Sequence, residues 1–313
     1  MANPEISVVV LAVGGAALLR HCLTALVAQL DPQTPDAVEI IVPYDCWSRE
    51  VAALEPEFPA VRFHYYEDLA QAALATDRVQ THRLYERRRA IGLGQCRGRL
   101  VAMTEAQAVP AADWLTQIRA VHEQAAGIIG GAIGNRVDRP LNWAWYYSDF
   151  GRYGQPQQAS SVDYLSDVNI SYKREVLESV RQVWAEAYQE APVHWALKAA
   201  GHTLLLDPRL LVFEQRPPMT LWRAFRERVE WGRMFAETRV AATRWWQRVL
   251  FLAGTPLLPW VLWWRVVRQL QPRQHTFSQI GSILLLVGGL GVCWSVGELL
   301  GYLAGPPNFS ERQ

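Results

Sequence analysis

The chain has 313 residues, half of them hydrophobic and 14 of them Trp, and its 31 Lys and Arg offset 30 Asp and Glu to a net charge of +1. That length suits one sizeable α/β core plus a smaller appendage, and so even a balance argues against a global field that would draw in nucleic acid. Cys22, Cys46, Cys96 and Cys293 stand far apart with no Cys-x-x-Cys pair, which speaks against a disulfide framework or zinc site and fits a reducing compartment.

Residues 6 to 13, ISVVVLAV, are β-branched and free of charge, as a buried parallel strand requires. The same run resembles a signal-peptide core, but no basic residue precedes it and Glu5 does, so it reads as a first strand. Gly14-Gly15 turns into the helical pattern ALLRHCLTALVAQL. A second strand, VEIIVPYD, then completes a unit of βαβ length. VRFHYYED predicts a third strand, LYERRRAIGLGQC a basic helix and GRLVAMTE a fourth strand. Alternation of this kind predicts a doubly wound, mostly parallel sheet with its ligand outside the carboxyl ends of the strands.

Further along, AADWLTQIRAVHEQ reads as a helix, GIIGGAIGN as a strand and residues 141 to 162 as a long aromatic loop. YLSDVNISYKREVLESV passes from loop to helix, and HWALKAAGHTLLLDP is helix, Gly stop and strand. Beyond Pro217 the character changes. LWRAFRERVEWGRMFAETR is amphipathic, with Trp222, Phe225, Val229 and Met234 opposite Arg, which suits a membrane-interface or domain-bracing helix. Two uncharged stretches follow. Thr276 to Gly297 is long enough to cross a bilayer, whereas Val249 to Trp264 is broken by Pro256 and Pro259 and reads as either re-entrant or spanning. Seven Trp between Trp222 and Trp264, with Arg on the flanks, point to a lipid surface rather than a soluble core. The expected division is 1–216 for the α/β domain, 217–245 for the amphipathic helix and 246–313 for the membrane region, with 277–303 transmembrane.

In this order the pieces over residues 5 to 216 resemble family 2 glycosyltransferases with the GT-A fold, of the bacterial membrane-anchored type. The family opens on strand, Pro-Thr-Tyr-Asn and helix; here the tetrapeptide is Leu11-Ala12-Val13-Gly14. Its second strand ends in an Asp pair that contacts the nucleoside, and VEIIVPYDCWS keeps Asp45, which is either that acceptor or a solvated turn residue. Tyr44 is either a base-stacking ring or a plain strand-end residue. The Ala-Arg-Asn-x-Gly helix start appears as Arg88-Arg89-Ala90-Ile91-Gly92, placing Arg89 where a guanidinium fork holds nucleotide or phosphate oxygens. Arg87 and Arg88 are expected on a solvated face.

The metal-binding DxD turn of the family is Thr104-Glu105-Ala106-Gln107-Ala108-Val109-Pro110 here, followed by Asp113-Trp114-Leu115. The resemblance implies Mg2+ or Mn2+, but the neutral Gln107 weakens or removes that site, because a hard cation prefers carboxylate oxygen. Glu214 stands where the family carries a His ligand, so Glu105 and Glu214 are either a redistributed metal pair or the remnant of a decayed one. The family's base falls at Gln189-Glu190, making Glu190 the candidate general base. His194, one turn on, either orients it or faces solvent, with the latter preferred. Asp167 and Asn169 match the donor-sugar or acceptor segment, although Asn169 also reads as a turn residue. Gly130-Gly131 suits a close backbone approach in a cleft.

The resemblance implies an inverting transferase that moves a sugar from a nucleotide-diphosphate donor to a lipid-linked or membrane-proximal hydroxyl. It implies a catalytic domain on the cytoplasmic side of the inner membrane and a role in cell-envelope glycan synthesis. The alternative is a membrane-tethered binding or scaffold protein that keeps the fold without catalysis, supported by Leu11 to Gly14, the single Asp45 and Gln107.

Overall fold

The computed structural model describes residues 3–67, 78–154, 156, 158–241, 243–270 and 275–304. The chain divides into two compact units, one of residues 1–136 and 153–215, the other of residues 137–152 and 216–313.

The first unit is built on a sheet in the order β3-β2-β1-β4-β8-β6-β9-β5, with β7 also on β9. Its strands are β1 (Ile6–Leu11), β2 (Val38–Tyr44), β3 (Val61–Tyr65), β4 (Leu100–Glu105), β5 (Ala108–Pro110), β6 (Ile128–Asn135), β7 (Ser160–Val162), β8 (Asn169–Lys173) and β9 (Leu204–Glu214). All six residues of β1 are buried, which explains its unbroken aliphatic run. β1 pairs in parallel with both β2 and β4. The chain therefore winds outward through β2 and β3 and then returns to the other side of β1. Such a reversal opens a crevice at the carboxyl ends of the two strands where ligands of doubly wound sheets bind. The register Leu11↔Glu105 brings the end of β4 to that crevice. Helices α1 (Ala16–Val27), α2 (Arg78–Gly94), α3 (Trp114–Val121), α5 (Arg174–Glu178), α6 (Arg181–Trp184) and α7 (Glu190–Ala199) belong to this unit.

Two segments expected as loops are ordered elements. Residues 164 to 173 contain β8, which lies antiparallel between β4 and β6 in the middle of the sheet. Within 141–162, α4 (Pro140–Asp149) begins on Pro140, whose missing N–H costs nothing in a first turn. β7 then pairs with β9.

The second unit holds α4, α8 (Leu221–Ala241), α9 (Trp245–Gly254), α10 (Leu258–Gln269) and α11 (Phe277–Ala304). Arg228 of α8 lies over the Trp145 ring at 4.1 Å and pairs with Asp149 at 2.7 Å, which fastens α4 to α8. The aromatic 141–149 run is a helix because this packing captures it. The predicted face of α8 is only partly used: Phe225 packs on Gly289 and Val229 lies against Gly297, whereas Trp222 is 77% exposed. The stretches Trp245–Gln269 and Phe277–Ala304 are apolar and long enough to cross a membrane.

Candidate active site

The carboxyl ends of β1, β2 and β4 carry two clusters of charge. The first centres on Asp45, at the end of β2. Arg88 donates to both of its oxygens at 2.7 Å, Tyr66 donates at 3.1 Å, and Trp47 N–H and Ser48 Oγ donate at 2.9 and 3.2 Å. Burial raises the Asp45 carboxyl, but Arg88, Trp47 and Tyr66 outweigh it and hold it below the usual carboxylate range. Arg88 also donates to Ala12 O at 3.1 Å, tying α2 to the end of β1. Arg88 is thus buried and structural, not part of a solvated face. Three successive arginines on a helix diverge by 100° each, so all three cannot face water when one side of the helix packs on the sheet.

Next to this pair is a cavity of about 210 Å³ lined by Ala12, Gly14, Gly15, Trp47, Tyr85 and Arg88, among others. Gly14 and Gly15 both have positive φ, 79° and 94°, which explains glycine at the turn. A Cβ on Gly14 would come within 2.7 Å of Leu18 and 3.3 Å of the Gln107 amide nitrogen, so the turn also depends on glycine to let Gln107 close in. Asp45 itself has its acceptors occupied. The aromatic groups at the cavity are Trp47 and Tyr85, while Tyr44 packs against Tyr65 at 5.4 Å between centroids. A larger cavity, about 810 Å³ and lined by Glu5, Arg97, Arg99, Lys173 and Arg174, lies at the amino ends of the strands. Its place on the sheet opposes the edge where this topology binds ligands.

The second cluster centres on Arg89. Its guanidinium bridges Glu105 at 2.6 Å and Asp167 at 2.8 Å. Burial works against the charge on Arg89, but Asp167 and Glu105 overcome it and hold the group more firmly protonated than an ordinary arginine. One guanidinium thus serves two carboxylates. Asp167 also bears on His194, which is fully buried and whose two ring nitrogens lack hydrogen-bond partners among the described residues. Burial pulls that imidazole down to about 4. His194 therefore does not face solvent, contrary to expectation.

Tyr172 and Tyr188 join their hydroxyls at 2.6 Å. Burial pushes both phenols up, with Asp167 and Glu190 adding to the effect. Glu190 is half-buried and opens α7, where a carboxylate meets the positive end of the helix. The segment that precedes it is fixed to α2 by Tyr188 N–H to Glu86 O at 2.9 Å and Gln189 Nε2 to Glu86 Oε2 at 3.0 Å. Arg89, Glu105, Asp167, His194, the two tyrosines and Glu190 thus form one electrostatic neighbourhood.

Asn169 is not at a turn and has no donor left for a ligand. Its Nδ2 donates to Ala132 O and Leu210 O at 2.9 and 3.0 Å, and its Oδ1 accepts from Trp114 Nε1 at 2.9 Å. Gly131 is glycine because a Cβ there would collide with this amide. Gln107 is held by its backbone: its carbonyl accepts from Gln215 N–H at 2.7 Å. Glu214 is buried at the end of β9, opposite Ala108, which places it beside the turn that follows Glu105. Among the described residues no group of three or more His, Cys, Asp or Glu is gathered for a metal ion. Glu105 is already paired with Arg89 and Gln107 is neutral, so these residues do not by themselves form a protein cage for a cation.

Fold and site together define a doubly wound α/β protein with a charged crevice at its switch point. No family model matches the chain, and no curated protein matches it. Among solved structures it is similar to the mannosyltransferase PcManGT from Pyrobaculum calidifontis in complex with GDP-Man and Mn2+. That likeness has a TM-score of 0.51 at 17% identity, covering 96% of this chain and 88% of that one, and it shows the fold. S. aureus TarS 1-349 aligns over 72% of this chain and 65% of that one, at 14% identity and a TM-score of 0.45, too low to carry an argument.

Proposed function

We propose that this protein is a membrane-associated glycosyltransferase of the GT-A type that takes a nucleotide-diphosphate sugar as donor. The observation that carries the reading is the paired clusters at the switch point, a backbone-lined cavity beside Arg88 and a carboxylate-rich neighbourhood around Arg89. In this reading the nucleoside enters the cavity by Gly14 and Gly15 and stacks on Trp47 or Tyr85. Asp45 positions Arg88, and Asn169 positions Trp114 and the central strands.

Glu190 is the general base. It takes the proton of an acceptor hydroxyl while that oxygen bonds to the anomeric carbon, the carbon–phosphate oxygen bond breaks, and the nucleoside diphosphate leaves with the electron pair. In-line attack inverts the anomeric centre. Asp167 and the buried Tyr172–Tyr188 pair keep the Glu190 surroundings rigid and poor in water, the setting in which a carboxylate is tuned for proton transfer. Glu105 and Glu214 would be the residues to hold a divalent cation, which would supply charge compensation for the leaving diphosphate. The apolar helices of the second unit suit a lipid-linked or membrane-proximal acceptor.

The test is calorimetric titration of the detergent-solubilised protein with UDP and GDP, with and without Mn2+. Micromolar binding that tightens with Mn2+ is expected for one of them. Failure to bind these or any other nucleoside diphosphate favours the second reading, a non-catalytic binding protein, for which the saturated Asp45 is the supporting observation. Glu190→Gln is expected to lower turnover by about 10²-fold or more with nucleotide affinity nearly unchanged; wild-type turnover removes Glu190 from the role.

A further inference from the structure

The second unit arranges its helices in a way that bears on how it meets lipid. α8 runs parallel to α11: Phe225 packs on Gly289, Val229 on Gly297 and Ala236 on Gly301, and Arg239 reaches the Tyr302 hydroxyl at 3.2 Å. On another side, α9 and α10 run antiparallel to α11, with Arg248 donating to Tyr302 O at 2.6 Å, Ser295 Oγ donating to Thr255 O, Pro259 on Gly291, and Trp263 Nε1 donating to Leu284 O at 3.0 Å. α11 is therefore the inner helix, and a direction through the bilayer chosen for it is imposed on α8.

α8 cannot follow it. Its outer stripe carries Arg223–Glu227, Arg226–Glu230 and Arg233–Glu237, with Arg226 and Arg233 still 68% and 56% exposed. Such charges do not face hydrocarbon. The part of α11 beyond the reach of α8, Phe277 to Gly288, is about 18 Å long, well short of the roughly 30 Å of a bilayer core. The apolar surface lies elsewhere. On α9 and α10 it includes Trp245, Leu250, Leu257, Trp260 and Val261, and on α11 Leu285, Val292, Val296 and Leu303 make one stripe at helical spacing. Along this part of the sequence the charge is of one sign: between Glu237 and Glu298 there is no Asp or Glu, and there are six Arg.

Building on the membrane association proposed above, we infer that the second unit lies in the plane of one leaflet instead of crossing the membrane. α9 and α10 face the acyl chains, α8 faces water, and the arginine rim meets anionic phospholipid headgroups. The expectation of a transmembrane 277–303 segment is replaced by an inserted but non-crossing helix. In this arrangement the start of α11 stays on the side of the membrane from which the protein binds, whereas a spanning hairpin would carry it to the far side.

The experiment uses the full chain in sealed membrane vesicles whose exposed face carries the first unit. A membrane-impermeant maleimide is applied to Thr276→Cys, exposed just before α11, in a background where Cys96 and Cys293 are Ser and native Cys46 reports the side of the first unit. Labelling of both cysteines without permeabilisation is expected. Labelling of position 276 only after permeabilisation overturns the in-plane arrangement while leaving membrane association standing. Ser278→Cys, one turn into α11, asks the same question should the first variant fold poorly. In a parallel flotation assay, wild-type protein is added to phosphatidylcholine vesicles with or without phosphatidylglycerol, and about tenfold better partitioning is expected with the anionic lipid. Equal partitioning overturns the headgroup assignment, and protein that binds neither vesicle, or that self-associates in their place, overturns the in-plane arrangement together with the membrane reading.

Discussion

Asp45–Arg88 and Glu105–Arg89–Asp167 use the same chemistry to opposite ends. The first pair is neutral, and its carboxylate accepts from Arg88, Tyr66, Ser48 and the Trp47 backbone. The second holds one guanidinium between two carboxylates, beside a histidine whose ring nitrogens lack hydrogen-bond partners among the described residues. A saturated ion pair fixes backbone, while an unsaturated one retains capacity for a ligand or a proton. On the function proposed above, the first cluster is scaffolding and the second carries the chemistry.

The sharpest way to break this contrast is to remove each arginine. Arg89→Met leaves two partly buried carboxylates without the guanidinium between them and should cost about 3 kcal/mol in a urea melt. Adding Glu105→Gln and Asp167→Asn should restore most of it, and a full loss that the added changes do not repair would mean the charge balance is not what Arg89 supplies. Arg88→Met should cost less, about 2–3 kcal/mol, because Asp45 keeps three other donors. Equal losses for the two arginines would erase the distinction.

The smallest effect is a pH dependence. His194 and His122 are buried and drawn down to about 4 by burial, with Lys173 and Arg99 helping at His122. Both are neutral in the folded protein at pH values where an unfolded histidine, near 6.5, takes a proton. The unfolded state then binds more protons, so stability present above about 6.5 declines as pH falls toward 4, by on the order of 1 kcal/mol per pH unit for each ring. His194→Gln should remove about half of this slope in the range; an unchanged slope would mean His194 titrates in the fold.

Much of the frame was legible in the sequence because parallel strands buried on both faces spell themselves as uninterrupted aliphatic runs, as β1, β2 and β4 do. Arg89 and Glu105 were nominated from the sequence, and the structure puts them in one ion-pair network with Asp167. β8 was missed because five residues carrying Asn169 and Ser171 look like a loop; their polar side chains are satisfied only by distant partners, Trp114, Ala132 and Leu210 for Asn169, and His122 and Ile129 for Ser171. α4 was missed because its aromatic sequence has weak helical preference, and helices of the second unit hold it in place. Arg88 and the Tyr172–Tyr188 pair gave no local signal at all, since what defines them is a partner 43 or 16 residues away.

One feature of α2 constrains how this protein can change. Arg88 and Arg89 are consecutive, and they serve the two clusters because a helix turns by 100° between neighbours. A single inserted or deleted residue in the turn before them would swing both guanidiniums off their carboxylates in one stroke. Drift in this stretch is therefore confined to substitution, and any natural variant with a length change between Arg83 and Arg88 should have rebuilt both clusters together or lost both.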